Sequence, residues 1–245
     1  MRFLQTCFVM LLAGGLATPA ARAQRVEVVG LAASFNVSQS WAREASLQLG
    51  RYDLQTKSGA VRFDDTGNRY SAYARVRLGE GSYFLQPELA YTSVLSSKYD
   101  LSYPGDLGSP SAPGYQSASS APFGYRIRRA ELAALAGRHF GPRFYVLAGS
   151  VLALQQRDLV SGQSSISGVY RSLYEAVNPV QLLGQVGVGL QVWRLDFGLR
   201  YEQGLTPFSR QVTHQGQTQG FYQQTNQFIL SVGALLYDRN QRWRR

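Results

Sequence analysis

Apolar and polar residues alternate with a period of two along most of the chain, the spacing expected of β-strands with one apolar and one polar face. The clearest stretch is 181–192, where leucine and valine mainly occupy one face and glutamine and glycine the other, and 195–202 repeats the pattern. If residues 193–194 form a hairpin loop, Val192 faces Leu195 and apolar side chains meet along the ribbon. A slip of one residue would destroy that match. The predicted pairs are Leu190 with Phe197, Val188 with Leu199 and Val186 with Tyr201 on one face, and Gln191 with Asp196, Gly187 with Arg200 and Gln185 with Glu202 on the other.

A second hairpin is predicted around a loop at Glu80-Gly81. Pro87 falls in the middle of its second strand, where the missing N–H removes a ladder hydrogen bond, so we expect a β-bulge there. The predicted pairs are Val76 with Leu85, Ala72 with Leu89, Arg75 with Gln86 and Tyr73 with Glu88.

Eight strands are predicted, and their bounds are 25–38, 69–79, 82–95, 125–139, 144–157, 179–192, 195–206 and 223–237. The connections alternate between tight turns at 80–81, 140–143 and 193–194 and long loops at 39–68, 96–124, 158–178 and 207–222. This alternation is typical of outer-membrane barrels, whose apolar outer face meets lipid while a polar face lines the interior. We therefore predict an all-β fold, an eight-stranded antiparallel up-and-down transmembrane β-barrel over residues 24–238.

Residues 46–67 leave the strand count open between eight and ten. Leu47, Leu49 and residues 60–63 suggest an extra hairpin, which either extends above the membrane or adds two strands to the barrel. A soluble periplasmic lipocalin-like barrel that binds an apolar ligand is the alternative for the whole fold. Alternation fits both folds, because only the direction of the apolar face differs, and the four long loops favour the membrane barrel.

The N-terminus predicts export. Residues 1–23 carry Arg2, an apolar segment over 7–16, and Ala21-Arg22-Ala23 as a small-x-small cleavage site, which are the parts of a signal peptide. The segment is too short for a transmembrane helix, which needs about 20 apolar residues. Cys7 is the only cysteine, so the mature protein is predicted to contain no disulfide and no thiol.

Composition narrows the function classes. The chain has 25 Lys and Arg against 15 Asp and Glu, a net charge of +10. The arginines are dispersed, without a recognition helix or a lysine-rich patch, so we expect no nucleic-acid partner. With two histidines and one cysteine, we expect no Cys/His metal site and no cofactor. Arginines of the predicted loops are instead candidates for contact with lipopolysaccharide phosphates: Arg43, Arg51, Arg62, Arg69, Arg157, Arg171 and Arg210.

Aromatic residues gather near both ends of the predicted strands, as amphipathic rings do at membrane interfaces. Those near the short turns are Tyr83, Phe84, Phe140, Phe144, Tyr145, Trp193 and Tyr237. Those near the long loops are Tyr70, Tyr91, Tyr125, Tyr201, Phe208, Phe221 and Tyr222. The sequence therefore predicts two aromatic girdles.

Charged residues on the polar strand faces are predicted to point into the barrel. The interior of an eight-stranded barrel is only wide enough for side chains, so these charges should pair across the lumen and close it. Arg129 and Glu131 join the set provisionally, because alanine and glycine dilute the alternation over 125–157. The predicted inward-facing polar cluster is Arg75, Arg77, Glu88, Gln185, Gln191, Asp196, Arg200 and Glu202.

The two histidines are candidates for acid–base chemistry. His139 lies at a strand end beside a tight turn, where an interfacial role is favoured. His214 lies in the last long loop near Ser209, and a serine hydrogen-bonded to a histidine is an activated nucleophile. That pair raises an outer-membrane lipid-modifying hydrolase or acyltransferase as an alternative function. No carboxylate in the loop is an obvious orienter, and we expect no enzymatic activity.

The segments Tyr83–Tyr91, Arg143–Gly149 and Phe228–Tyr237, with the exported N-terminus, resemble small outer-membrane β-barrel proteins of the PorT-like, OmpA-like kind. The resemblance implies insertion by the outer-membrane assembly machinery, which recognises the last strand. Residues 239–245 would form a short periplasmic tail beyond it. We predict a monomeric protein of the outer membrane, in contact with its lipids and lipopolysaccharide, whose long loops carry a structural, adhesive or secretion-accessory role.

Overall fold

The computed structural model describes residues 25–42, 46–49, 52–56, 66–102, 121–156 and 165–239. The predicted signal peptide lies outside these ranges, and so does the predicted tail after its first residue. The strands are β1 (Arg25–Ala42), β2 (Ser46–Leu49), β3 (Tyr52–Thr56), β4 (Thr66–Arg77), β5 (Tyr83–Ser102), β6 (Ala121–Phe140), β7 (Phe144–Gln156), β8 (Val180–Val192), β9 (Leu195–Gly204), β10 (Ser209–His214) and β11 (Gln217–Asp238), and one helix, α1 (Ser165–Ala176), precedes β8.

Eight of these strands form a closed antiparallel barrel. In order around the ring they are β1, β4, β5, β6, β7, β8, β9 and β11, and β11 pairs with β1 to close it. Successive ring strands are therefore joined in up-and-down order, as predicted. The ten-strand alternative is wrong, because β2 and β3 pair with each other and β3 pairs only with the far end of β5, at Tyr99–Ser102.

The hairpin registers follow the alternation in the sequence. In β8–β9 every predicted pair is formed, from Val192 with Leu195 to Gln185 with Glu202. Trp193, in the two-residue turn, has φ 54°, a left-handed conformation that hairpin turns of this length require. In β4–β5 the pairs of Val76 with Leu85 and Tyr73 with Glu88 confirm the predicted register.

The bulge predicted at Pro87 is absent from the β4–β5 pairing. The pairing skips Ala74 and Arg75, and the register is the same on both sides of the gap. On the other side of β5, Pro87 pairs with Ala134 without a shift. The strand therefore accommodates the missing N–H by losing ladder contacts and keeps its inward and outward faces.

The two faces of the barrel wall have opposite polarity. On the outside, Val186 and Val188 are 53% and 52% exposed, and a belt of leucine, valine and phenylalanine continues around the ring. On the inside, Gln185 and Glu202 are each 1% exposed. A soluble protein places its apolar side chains inward, so this barrel has the reverse arrangement over most of its described wall. The exception is β6–β7, where Leu135, Leu147 and Val151 also point inward.

The long-loop end carries a second apolar core, which we name the cap. It is built from the β2–β3 hairpin, α1, β10 and the adjoining end of β11, and its core consists of Leu47, Leu49, Val169, Leu173, Tyr174, Val177, Phe208, Val212 and Phe221. The sequence predicts a loop over 158–178, whereas residues 165–176 form α1. The extra hairpin stands above the barrel, with its second strand at 52–56; residues 60–63 lie outside the described ranges. In the described residues no helix is long and apolar enough to cross a membrane.

The aromatic residues divide between the outer wall and the interior. Tyr83, Phe140, Phe144, Trp193 and Tyr237 are exposed near the short turns, and Tyr70, Tyr91 and Tyr222 are exposed near the long loops. Phe84 and Tyr145 point into the lumen instead, and Phe208 and Phe221 are buried in the cap. Both girdles thus hold exposed aromatics but fewer than predicted; the side chain of Tyr125 lies outside the described set.

Candidate functional site

The middle of the lumen holds a cluster of buried ionic side chains, which we name the luminal network. Its members are Arg69, Arg75, Glu88, Arg129, Glu131, Asp196, Arg200 and Glu202, each at most 6% exposed. They come from β4, β5, β6 and β9, at positions where the two-residue repeat turns a side chain inward. Four guanidinium groups face four carboxylates, so the network is formally neutral and needs no counter-ion.

Glu88 and Glu131 lie on the neighbouring strands β5 and β6, on one side of the lumen. Each accepts hydrogen bonds from two arginines and one neutral side chain. Glu88 is bound by Arg69 Nη1 at 2.6 Å, Arg200 Nη1 at 2.9 Å and Gln86 Nε2 at 2.9 Å. Glu131 is bound by Arg69 Nε at 2.8 Å, Arg129 Nε at 2.5 Å and Thr92 Oγ1 at 2.6 Å.

The two acidic residues of β9 complete the network from the other side. Each also accepts three side-chain hydrogen bonds. Glu202 is bound by Arg129 Nη2 at 2.5 Å, Gln227 Nε2 at 2.7 Å and Gln185 Nε2 at 3.1 Å. Asp196 is bound by Tyr73 Oη at 2.5 Å, Arg75 Nη2 at 2.6 Å and Tyr145 Oη at 2.9 Å. Because every carboxylate is satisfied, the network offsets much of the cost of burying charge.

Several of these pairs cross the lumen. Arg200 on β9 binds Glu88 on β5, and these strands are four places apart in the ring by either route. Arg75 on β4 reaches Asp196, also on β9. The network therefore spans the barrel instead of lining its wall, and it blocks a continuous passage through the middle of the lumen.

Little space remains above the network on the cap side. A cavity of about 20 Å³ lies there, room for about one water molecule. Its lining includes Arg129 and Glu202 of the network and Phe208 of the cap. The luminal network thus fills the middle of the lumen, and the cap covers it on the long-loop side.

An aromatic layer supports the network on the short-turn side. The Arg75 guanidinium lies 3.8 Å from the centre of the Tyr145 ring, and the Phe84 and Tyr145 rings meet edge to face at 5.9 Å. Gly189 lies against this layer: a Cβ built there would collide with the Tyr145 ring. Glycine at 189 therefore makes room for the ring that holds Arg75.

Replacing Gly189 with alanine is expected to destabilise the barrel by about 1 to 3 kcal/mol, the usual cost of overpacking. Gly184→Ala is the matched control on the same strand, because its Cβ would meet Leu205 at ordinary contact distances of 3.5–3.6 Å. Urea unfolding of both variants in lipid vesicles measures the difference. Equal stabilities for the two variants would contradict the packing described for Tyr145.

Six of the eight predicted cluster residues take part in the network hydrogen bonds: Arg75, Glu88, Gln185, Asp196, Arg200 and Glu202. Arg77 lies nearer the short turns, where it pairs with Glu27 at 2.5 Å. Gln191 is buried opposite Asp196, but its amide nitrogen has no hydrogen-bond partner among the described residues.

Arg69 corrects the expectation for the loop arginines. The sequence predicts that Arg69 contacts lipopolysaccharide from an external loop, whereas its side chain is 1% exposed and bridges Glu88 and Glu131. Its strand begins at Thr66, three residues before the predicted start, which places Arg69 well inside the ladder. Arg171 and Arg210 are exposed in the cap, whereas Arg43, Arg51, Arg62 and Arg157 lie outside the described residues.

Ser209 and His214, the candidate pair for acid–base chemistry, bind different partners. Ser209 Oγ donates to the backbone carbonyl of Phe221 at 2.8 Å. His214 Nδ1 lies 3.1 Å from Ser172 Oγ on α1 instead, and both residues are buried under the cap surface. Its Nε2 atom has no hydrogen-bond partner in the described part of the chain, so the orienting group of a serine hydrolase is missing from this geometry.

No protein-family model matches the chain, and no curated protein matches it. Among solved structures, the outer membrane protein Ail of Yersinia pestis is similar with 9% identity and a TM-score of 0.43, over 86% of this chain and 100% of Ail. The outer membrane protein AlkL is similar with 12% identity and a TM-score of 0.38, over 88% of this chain and 93% of AlkL. The PorT-like or OmpA-like family stays a prediction.

Proposed function

We propose that the protein is an integral β-barrel of the outer membrane, closed to diffusion, whose cap presents a binding surface to the exterior. The short turns then face the periplasm. In this proposal the protein is non-enzymatic, and its cap serves an adhesive, structural or secretion-accessory role. The proposal combines an apolar outer wall with an interior that the luminal network spans.

The polarity of the wall is the observation that carries membrane insertion. Monomeric soluble proteins rarely expose contiguous apolar patches beyond a few hundred Å², whereas the apolar belt here passes through every barrel strand. Closed barrels are the only β-structures that satisfy their backbone polar groups within lipid. A lipocalin-like binder does not fit, since it needs an apolar cavity where this lumen holds the luminal network.

The cap is the part of the protein that supports a binding role. The cap has its own apolar core. Packing in that core therefore stabilises the shape of the cap's outer surface, in addition to the connections to the barrel strands. Arg171 and Arg210 are exposed there and offer guanidinium groups to anionic ligands such as lipopolysaccharide phosphates. Charge reversal at both positions should weaken lipopolysaccharide retention; unchanged retention would count against that partner.

Cell fractionation combined with surface proteolysis tests the proposal. The protein should remain with the outer-membrane fraction, need detergent for extraction and run with heat-dependent gel mobility. Protease added to whole cells should cut only in the long-loop half. Release into the soluble periplasmic fraction, or cleavage at the short turns in whole cells, would overturn it.

Replacing Phe221 with alanine is expected to loosen the cap while leaving the barrel folded. Phe221 is 1% exposed in the cap core, and truncating a buried phenylalanine costs about 3 to 5 kcal/mol. Proteolysis of the loops should accelerate, with the barrel strands still protected. Tyr222→Ala is the control, because Tyr222 is the next residue and is 41% exposed; equal cleavage of the two variants would contradict the cap core.

A further inference from the structure

Exposed arginines gather at the short-turn end of the barrel, and we name this set the arginine rim: Arg25, Arg138, Arg143, Arg194 and Arg239. The acidic residues near this end are Glu27, Glu80, Asp196 and Asp238. Glu27 is buried and paired with Arg77, and Asp196 is buried and paired with Arg75, which leaves the rim with an excess of positive charge. That charge surrounds the barrel where its outer wall ends.

Arg138 differs from the other rim residues because it lies on the wall itself. It faces outward, in phase with Leu132 and Phe140 of β6, and pairs with Tyr83 of β5 and Val146 of β7. Its guanidinium carbon lies 5.4 Å from the centre of the Tyr83 ring and 5.1 Å from that of Phe140. Its Nε donates to Ser82 Oγ at 3.3 Å. Two aromatic rings thus hold a cation at the edge of the apolar belt.

No carboxylate among the described residues pairs with Arg138. A charged group at the boundary between the apolar belt and water needs an anionic or aqueous partner. Exposed tyrosine and phenylalanine rings mark headgroup depth in a membrane, so the anion available beside Arg138 at that depth is a lipid phosphate. Arginine suits this partner because its planar donors bind phosphate in a bidentate manner.

We propose that Arg138, with Tyr83 and Phe140 beside it, forms a binding site for the headgroup phosphate of an anionic phospholipid in the leaflet next to the short turns. This inference rests on the proposed membrane insertion. The other rim arginines add long-range attraction for the same leaflet. The site selects for net negative headgroups, because a zwitterionic lipid carries its own cation beside the phosphate.

Native mass spectrometry of the detergent-solubilised barrel, titrated with equal amounts of phosphatidylglycerol and phosphatidylcholine, tests the site. The first phosphatidylglycerol should bind roughly fivefold more tightly than the first phosphatidylcholine, the expected gain for one basic residue at a membrane surface. Arg138→Gln should remove most of that preference. Arg143→Gln removes the same charge from the neighbouring short turn of the rim and should leave most of the preference intact. Unchanged heat-dependent mobility shows that each variant is folded.

The outcomes separate this inference from the proposed function. A protein that stays soluble and monodisperse without detergent contradicts membrane insertion and the lipid site together. A detergent-requiring barrel that binds both lipids equally, or that keeps its preference in Arg138→Gln, contradicts the lipid site alone. A preference lost only in Arg143→Gln would place anion binding at the short turn and also overturn it.

Discussion

Replacing Glu88 with alanine is expected to destabilise the barrel by about 3 to 5 kcal/mol, because Arg69 and Arg200 then remain buried without the carboxylate that joins them. Glu88 accepts hydrogen bonds from Arg69 on the neighbouring strand β4 and from Arg200 across the lumen. The loss is large since neither guanidinium reaches water through the filled interior. Reversible urea unfolding in zwitterionic lipid vesicles, followed by tryptophan fluorescence, measures it.

Glu80→Ala is the matched control, since it removes the same side chain from an exposed turn and should change stability by no more than about 0.5 kcal/mol. The double variant Glu88→Ala with Arg200→Ala should recover part of the loss, because it removes one of the two stranded cations. A Glu88→Ala barrel as stable as the Glu80→Ala barrel would show that the luminal network does not hold the strands together.

Replacing Val188 with arginine is expected to cost about 2 to 4 kcal/mol in a bilayer, the penalty for a cation on the lipid-facing side of a barrel near mid-depth. Val188 is exposed halfway along the wall, between Val146 of β7 and Leu199 of β9, which are exposed too. In a soluble barrel the same change would put a charge in water at little cost. Unfolding in vesicles distinguishes the two cases.

Gln217→Arg is the control for that substitution. Gln217 is exposed at the β10–β11 hairpin of the cap, and an arginine there should change stability by no more than about 0.5 kcal/mol. Equal stability of the Val188→Arg and Gln217→Arg barrels would mean that the wall at Val188 meets water as the cap does.

The barrel and its most regularly alternating hairpins were predictable because each residue of those strands faces either the polar lumen or the apolar outer surface. In β8–β9 the inward positions hold Gln185, Arg200 and Glu202 and the outward positions hold valine, leucine and tyrosine, so a single register satisfies both faces. In β6–β7 the contrast is lost. Leu135, Leu147 and Val151 point inward there, against outward neighbours that are also apolar, which is why the face of Arg129 and Glu131 was assigned only provisionally.

The errors have related physical causes. Phe84 and Tyr145 were placed at the membrane interface because an aromatic ring fits either a lipid surface or a lumen, and only the tertiary packing around Arg75 decides between them. α1 did have a signal: Val169, Leu173, Tyr174 and Val177 lie at helical spacing and form one side of the cap core. The contact between Ser172 and His214 has no signal in the sequence, because it depends on how the loops fold over the barrel.

The direction of the apolar face is the central claim, and a single spin label at position 188 tests it most directly. The only native cysteine is Cys7, in the predicted signal peptide, so Val188→Cys in the mature protein accepts one nitroxide. In vesicles, its collision rate with oxygen should be high and with a water-soluble nickel complex low, and a label at Gln217→Cys, on the exposed β10–β11 hairpin of the cap, should show the reverse. Equal collision of both labels with the nickel complex would contradict a wall that faces lipid.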